Sequence, residues 1–255
     1  MIGILYNEWL KSWYGRKVWV FIIVMGVFLA GAVGLSLLTQ ANMGEPMNAG
    51  VFAEISVSLF PMFVMLFGVV LIAGAIAGEF ANGTIKQLLI RPTSRHALLF
   101  GKWFGNLLFS LFMFFAIVIV SVVTGLFIFS TEGLSITEMF SNVFEMALYQ
   151  LPTVVFYIAL ATLIAVLTKS TALTIIITFA PMFFSSLVQL FISQYDWSKW
   201  IIVSHVEFFG NYYSTDMAFG TPPFESMWAS LAFLFAHIVI ILLVAHLVFK
   251  KRDVL

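Results

Sequence analysis

Hydrophobic residues come in six long runs along the chain, separated by shorter polar stretches. The runs cover residues 18–39, 52–77, 103–129, 143–168, 171–194 and 228–249. Each exceeds the roughly 20 apolar residues that a helix needs to cross a hydrocarbon core of about 30 Å, so each predicts a transmembrane helix. Only Lys169 and Ser170 divide the fourth run from the fifth. One helix cannot be that long and remain in a bilayer, so a tight turn is required there. Ahead of the first run, Ile2, Leu5, Tyr6, Trp9 and Trp13 recur at helical spacing, with Asn7, Glu8, Lys11 and Ser12 opposite. Residues 1–17 therefore read as an amphipathic helix lying in the membrane interface. Ala30-Gly31-Ala32 mimics a signal-peptidase site, but the apolar run around it is too long for a signal-peptide core.

Composition turns this pattern into a class. The chain has 255 residues, of which 62% are hydrophobic and 9% charged, as expected of an all-α integral membrane protein. There is no cysteine, which removes disulfides, thiolate metal sites and cysteine nucleophiles. The formal net charge of zero conceals an asymmetry. Six spans put both termini on one face, and of the 12 basic residues only Lys199 falls on the other. The positive-inside bias then makes the termini cytoplasmic in a multi-pass protein of the cell membrane. Trp9, Trp13, Trp19 and Trp103 fall near span ends or in interfacial stretches on the inner side, as do Trp197, Trp200 and Trp228 on the outer side. The indole ring prefers that boundary. The outer segment 195–227 is rich in aromatics and is expected to pack on the membrane surface or dip into it.

Chemistry within the membrane would need ionisable groups held together, and few are present. His237 and His246 are nine positions apart on the last run, on opposite sides of a helix. His96 and His205 fall in connections on opposite faces, and no metal, di-carboxylate or serine–histidine site is expected. Gly101-Lys102 resembles the end of a phosphate loop, yet His96 stands where the first glycine belongs and Trp103 where magnesium needs a hydroxyl. The chain is therefore expected to hydrolyse no ATP of its own.

The most distinctive hydrophilic stretch is 78–102. Asn82-Gly83 permits a sharp turn, Thr84 can cap a short helix, and Ile85, Leu88 and Leu89 would share a face beside Lys86 and Gln87 until Pro92. Such a helix suits a groove on a soluble partner. A basic loop that only fixes topology and touches lipid headgroups is the plainer reading. Glu79 ends the second span, with Arg91, Arg95, Arg16 and Lys17 as prospective partners. An ion pair there would tie the loop to the amphipathic helix, whereas a solvated carboxylate would do nothing further. Thr171, Thr174, Thr178, Ser185 and Gln189 form a polar stripe on the fifth run, and Ser56 and Ser58 lie on the second. These are either helix-packing surfaces or the lining of a substrate pathway.

Glu79, Gly83-Thr84, Leu88-Leu89, Pro92, Ser94-Arg95 and Lys102 together resemble the first cytoplasmic loop of ABC-2 type transporter permeases, the membrane subunits of ABC exporters. The resemblance extends to the layout of the whole chain. It implies an ABC-2 permease fold of six spans with an interfacial helix, in which 78–102 is the loop pressed onto a cytosolic ABC ATPase. Glu79, Asn82, Gly83, Thr84, Ile85, Lys86, Leu88, Leu89, Arg91 and Arg95 would make that coupling. It also implies a dimer with a second copy or a sister permease, ATP and magnesium bound only by the partner ATPase, and a pathway lined by the second and fifth spans. The frequent Phe and Met side chains point to an amphipathic or apolar cargo such as a peptide antibiotic, drug or lipid. No nucleic-acid partner is expected. The rival reading is a non-transporting membrane scaffold or sensor that holds a cytosolic partner through the same loop.

Overall fold

A computed structural model describes residues 2–43, 47–85, 94–131, 133, 135–207, 209–213 and 222–251. Among them the backbone is helical and forms no strand, apart from one isolated bridge between Asn48 and Ser130. In chain order the helices are α1 (Ile2–Tyr14), α2 (Arg16–Met43), α3 (Ala49–Ala75), α4 (Ala77–Ala81), α5 (Arg95–Ile128), α6 (Ile136–Thr168), α7 (Thr171–Ile192), α8 (Ile202–Glu207) and α9 (Met227–Lys251). Among the described residues, five helical stretches are long and apolar enough to cross a membrane: α2, α3 continued by α4, α5, α6 and α9. The fifth predicted run corresponds to α7, which is 22 residues long.

Local chemistry sets the boundaries and corrects several of the expected ones. The third helix starts at Arg95 rather than residue 103, because the Ser94 side chain accepts a hydrogen bond from the Ala97 amide and caps it. The fourth starts at Ile136 rather than 143, through a capping box in which Ser135 and Glu138 satisfy each other's backbone amides. The tight turn at Lys169-Ser170 is present. Lys169 adopts a left-handed conformation with φ 54°, and Ser170 caps α7 by accepting from the Leu173 amide.

Helix α3 is the hub and packs on α5, α6 and α7, while α9 packs on α6. One core cluster joins the second half of α3, the first half of α5, the second half of α6 and α9. The other joins α2 to the remaining halves of α3, α5 and α6. Outside these clusters, Ile23, Val27, Leu35, Phe127, Phe184, Phe191, Phe235 and Leu243 all stand exposed. Apolar surface on this scale needs an apolar solvent, so this is an all-helical, multi-pass membrane protein.

Helix α1 lies across α5 with an orientation that its amphipathic pattern left open. Glu8 and Ser12 are its buried residues, whereas Ile2, Tyr6 and Tyr14 are exposed. Glu8 and Ser12 thus face the protein beside Ile4 and Trp9, whose ring packs against Phe109 and Phe112, while Ile2, Tyr6 and Tyr14 are left for the membrane.

A buried charge cluster as the candidate functional site

The contact between α1 and α5 is made through two glycines one helical turn apart. A Cβ added at Gly101 would come within 2.8 Å of Ile4 Cγ2, and one at Gly105 within 3.2 Å of Glu8 Cβ. Small residues at this spacing let two helices meet closely. This is the role of the glycine before Lys102 that looked like part of a phosphate loop.

Between the glycines, Lys102 projects into the joint with its side chain only 1% exposed. Its Nζ donates to Glu79 Oε1 at 2.8 Å and to Glu8 Oε1 at 3.0 Å. Lys11 Nζ donates to the same two oxygens, at 3.1 Å for Glu79 and 3.4 Å for Glu8. Asn106 Nδ2 donates to Glu8 Oε2 at 3.3 Å and to the Lys102 carbonyl at 2.8 Å, and Ser12 Oγ donates to Asn106 Oδ1 at 3.5 Å. Two carboxylates and two ammonium groups from α1, α4 and α5 thus balance within one compact network. Burial works against the charge on Lys11, but Glu8 and Glu79 outweigh it and hold its pKa above the ordinary lysine value. Glu79 Oε2 is buried with no hydrogen-bond partner among the described residues. A cleft of about 370 Å³ opens beside this network, lined by Lys11, Ser12, Arg16, Lys17, Gly74 and Glu79, among others.

Of the residues expected to couple to a partner, Glu79 does join the loop to α1. It does so through Lys11 and Lys102, and among the described residues not through Arg16, Lys17 or Arg95. Arg95 Nη1 instead donates to the Lys250 carbonyl at the end of α9, at 3.1 Å, and Lys17 Nζ donates to the Val70 carbonyl at 3.3 Å. Arg16 makes no salt bridge among the described residues. Asn82, Gly83 and Thr84 are exposed in a turn where Gly83 takes φ +69°. Thr84 Oγ1 donates back to the Glu79 carbonyl at 3.4 Å. Ile85, expected on the presented ridge, is instead buried in the core with Leu98 and Leu99, so it anchors the segment. Lys86, Leu88, Leu89 and Arg91 lie outside the described residues. Phe80 fixes the same base of the loop: its ring lies 5.3 Å from Lys169 Nζ and edge-on to Phe249.

The polar stripe of α7 faces inward. Thr174, Thr178 and Ser185 are buried, and each hydroxyl donates to a carbonyl one turn back in its own helix. Gln189 Oε1 accepts from Ser204 Oγ at 3.0 Å. Ser56 is buried and Ser58 exposed on α3, and each hydroxyl donates to a carbonyl of its own helix. Within the described chain these hydroxyls are thus satisfied, most of them inside their own helices.

One arrangement escaped the sequence. His205, in α8, and Ser230, near the start of α9, are both fully buried and 2.6 Å apart, Nδ1 to Oγ. His205 Nε2 lies 2.8 Å from the Lys199 carbonyl, which can only accept, so Nε2 carries the proton and Nδ1 accepts from Ser230. The Phe224 and Phe233 rings cover the pair at 4.6 and 4.5 Å. Buried, and with the Lys199 carbonyl behind the imidazole, the pair joins α8 to α9 as a latch. His96, expected in a connection, lies in the first turn of α5 and stacks on His246 of α9 at 5.8 Å. Among the described residues, no group of three or more His, Asp or Glu could hold a metal ion.

The family model described as a protein of unknown function, DUF2705, matches residues 18–255. The chain belongs to the DUF2705 family. The match begins at α2, so helix α1 and its half of the charge cluster lie ahead of the part that defines the family. The DUF2705 chain is also similar to the uncharacterized protein YhcI of Bacillus subtilis (strain 168), 24% identical over 317 residues that span 100% of this chain and 99% of that protein.

Proposed function

We propose that this DUF2705 protein is the permease subunit of an ATP-driven ABC exporter of the ABC-2 type, with 78–102 as the loop that engages a separate cytosolic ATPase. The observation that carries this reading is the charge network at the loop's base. Glu79 is tied to Lys102 at 2.8 Å and to Lys11 at 3.1 Å, and Phe80 is held against α9 and the α6–α7 turn. A force on the exposed 82–84 turn would therefore pass by short, charge-assisted contacts into α1 and α5 together instead of being lost in a slack connection. In this reading α7 also crosses, which makes six spans, the termini are cytoplasmic, and two permease chains form the pathway between them. ATP and magnesium belong to the ATPase, whose closure would draw the loops together and change access to the pathway. The cargo would be amphipathic or apolar, such as a peptide antibiotic, drug or lipid.

The test is purification of the tagged protein from its native membrane in mild detergent, beside a variant carrying Glu79→Ala, Leu88→Ala and Leu89→Ala. An ATPase subunit should accompany the native chain and be missing from the variant. If the variant inserts normally and no ATPase accompanies either form, the exporter reading falls and a scaffold or sensor takes its place.

A further inference from the structure

The cleft beside the charge cluster shares Arg16 and Lys17 with a second cavity. An open groove of about 440 Å³ runs between α2, α3 and α7, walled by Phe21, Val24, Phe63, Phe67 and Phe179 and headed by Arg16 and Lys17. Phe21 and Phe67 stack at 4.2 Å to form its floor. The same two cations also line the polar cleft, so they stand where the apolar groove meets the charged joint.

Charge accounting gives the sign of the occupant. Glu8 and Glu79 are the carboxylates lining the cleft, and both are engaged by Lys102 and Lys11. That leaves Arg16 and Lys17 uncompensated, since neither makes a salt bridge among the described residues. Lys17 is held over α3 by its bond to the Val70 carbonyl. It lies where Gly74 has no side chain, and a Cβ there would collide with its Nζ. Lys17, held in place, and the exposed Arg16 beside it, at the end of an apolar groove, match an anionic headgroup with a hydrocarbon tail. Their place at the start of α2, next to interfacial α1, matches the depth of a lipid phosphate.

We infer that the groove between α2, α3 and α7 is a binding site for an anionic phospholipid of the leaflet that holds α1. The phosphate sits between Arg16 and Lys17, and one acyl chain lies along Phe21, Val24, Phe63, Phe67 and Phe179. The site does not depend on transport, because it follows from the groove and the charge count alone. Its position beside Glu79 and Lys11 means that the lipid contacts the same joint as the loop.

The experiment is native mass spectrometry of the full chain in mild detergent, titrated with phosphatidylglycerol and with phosphatidylcholine of identical acyl chains. One phosphatidylglycerol per chain should be retained at concentrations where phosphatidylcholine is not. R16Q/K17Q should weaken phosphatidylglycerol retention roughly tenfold or more and remove most of the preference. Val24→Trp, which fills the groove and keeps both cations, should weaken both lipids; if R16Q/K17Q does not accumulate, this variant decides alone. The inference is overturned if the native chain holds both lipids equally or if R16Q/K17Q keeps the preference. It is also overturned if Val24→Trp binds phosphatidylglycerol as the native chain does. Displacement of the lipid by glycerol phosphate at equal concentration, or a dimer of the native chain that excludes lipid, would equally refute it.

Discussion

Lys102 is the residue on which the charge network depends. It is fully desolvated, and its removal leaves Glu8 and Glu79 facing each other with only the half-exposed Lys11 between them. Breaking a buried pair from one side typically costs about 3–5 kcal/mol, so Lys102→Met should destabilise the fold on that scale. Unfolding titrations in mixed detergent micelles would measure the loss, and a change within about 0.5 kcal/mol would show the network to be idle. Glu79→Gln should cost less, since Lys102 and Lys11 keep Glu8. At the opposite face, burial holds the His205 pKa below the ordinary histidine value of 6.5, opposed by its bond to the Lys199 carbonyl and helped by the nearby His237. The neutral form is therefore the one that fits, and its contribution is complete above about pH 6.5. It is lost as the pH falls from there through the lowered value, because the added proton occupies the Nδ1 lone pair that accepts from Ser230. Protease cleavage in 195–227 should rise between pH 7 and 5 and stay level in Ser230→Ala, where the latch is already open. Neither role was legible beforehand. The apolar run begins at Trp103, but the cap at Ser94 places Lys102 two turns inside its helix. His205 and Ser230 lie 25 positions apart on two different helices, which no periodicity can bring together.

At the level of elements, the sequence was most informative where hydrophobicity is periodic or continuous. The apolar runs appear as helices, and the αL turn at Lys169 is where two residues of polarity demanded one. Boundaries moved wherever a cap extended a helix past its apolar part, as at Ser94 and Ser135. Helix α1 shows what a pattern leaves undetermined: its two faces are plain in the sequence, but the side that meets the protein is not. The Gly101 and Gly105 notches decide it by admitting Ile4 and Glu8. Gly105→Leu should therefore lift α1 from α5, at a cost typical of overpacking, about 1–3 kcal/mol. Hydrogen exchange over residues 2–14 would report the release as faster uptake. Unchanged exchange would mean that the notch does not hold the helix.

For the whole molecule, the two core clusters meet along α3, and α2 is attached mainly through Val18, Phe21 and Met25. Most of its remaining surface is left to lipid, to a second chain, or to both. Because the chain lacks cysteine, single substitutions give a clean topology test. Ser94→Cys and Ser198→Cys should be labelled by impermeant thiol reagents from opposite sides of the membrane. Labelling of both from one side would mean that α7 does not cross and would remove the six-span arrangement. The loop itself was legible as an unusual polar segment, whereas the network beneath it was not, since its members come from positions 8, 11, 79 and 102.

That separation gives the joint a history as well as a geometry. Glu8 and Lys102 are 94 residues apart in the chain. At about 5–20 residues per second, Lys102 leaves the ribosome some 5–20 s after Glu8. During that interval α1 lacks the Lys102 side of its site, and Ile2, Tyr6 and Tyr14 can hold it at the membrane surface while the first spans are inserted. These outward residues thus give the nascent chain a temporary mooring, and the closing of the salt bridges marks the moment when the amino-terminal half is complete.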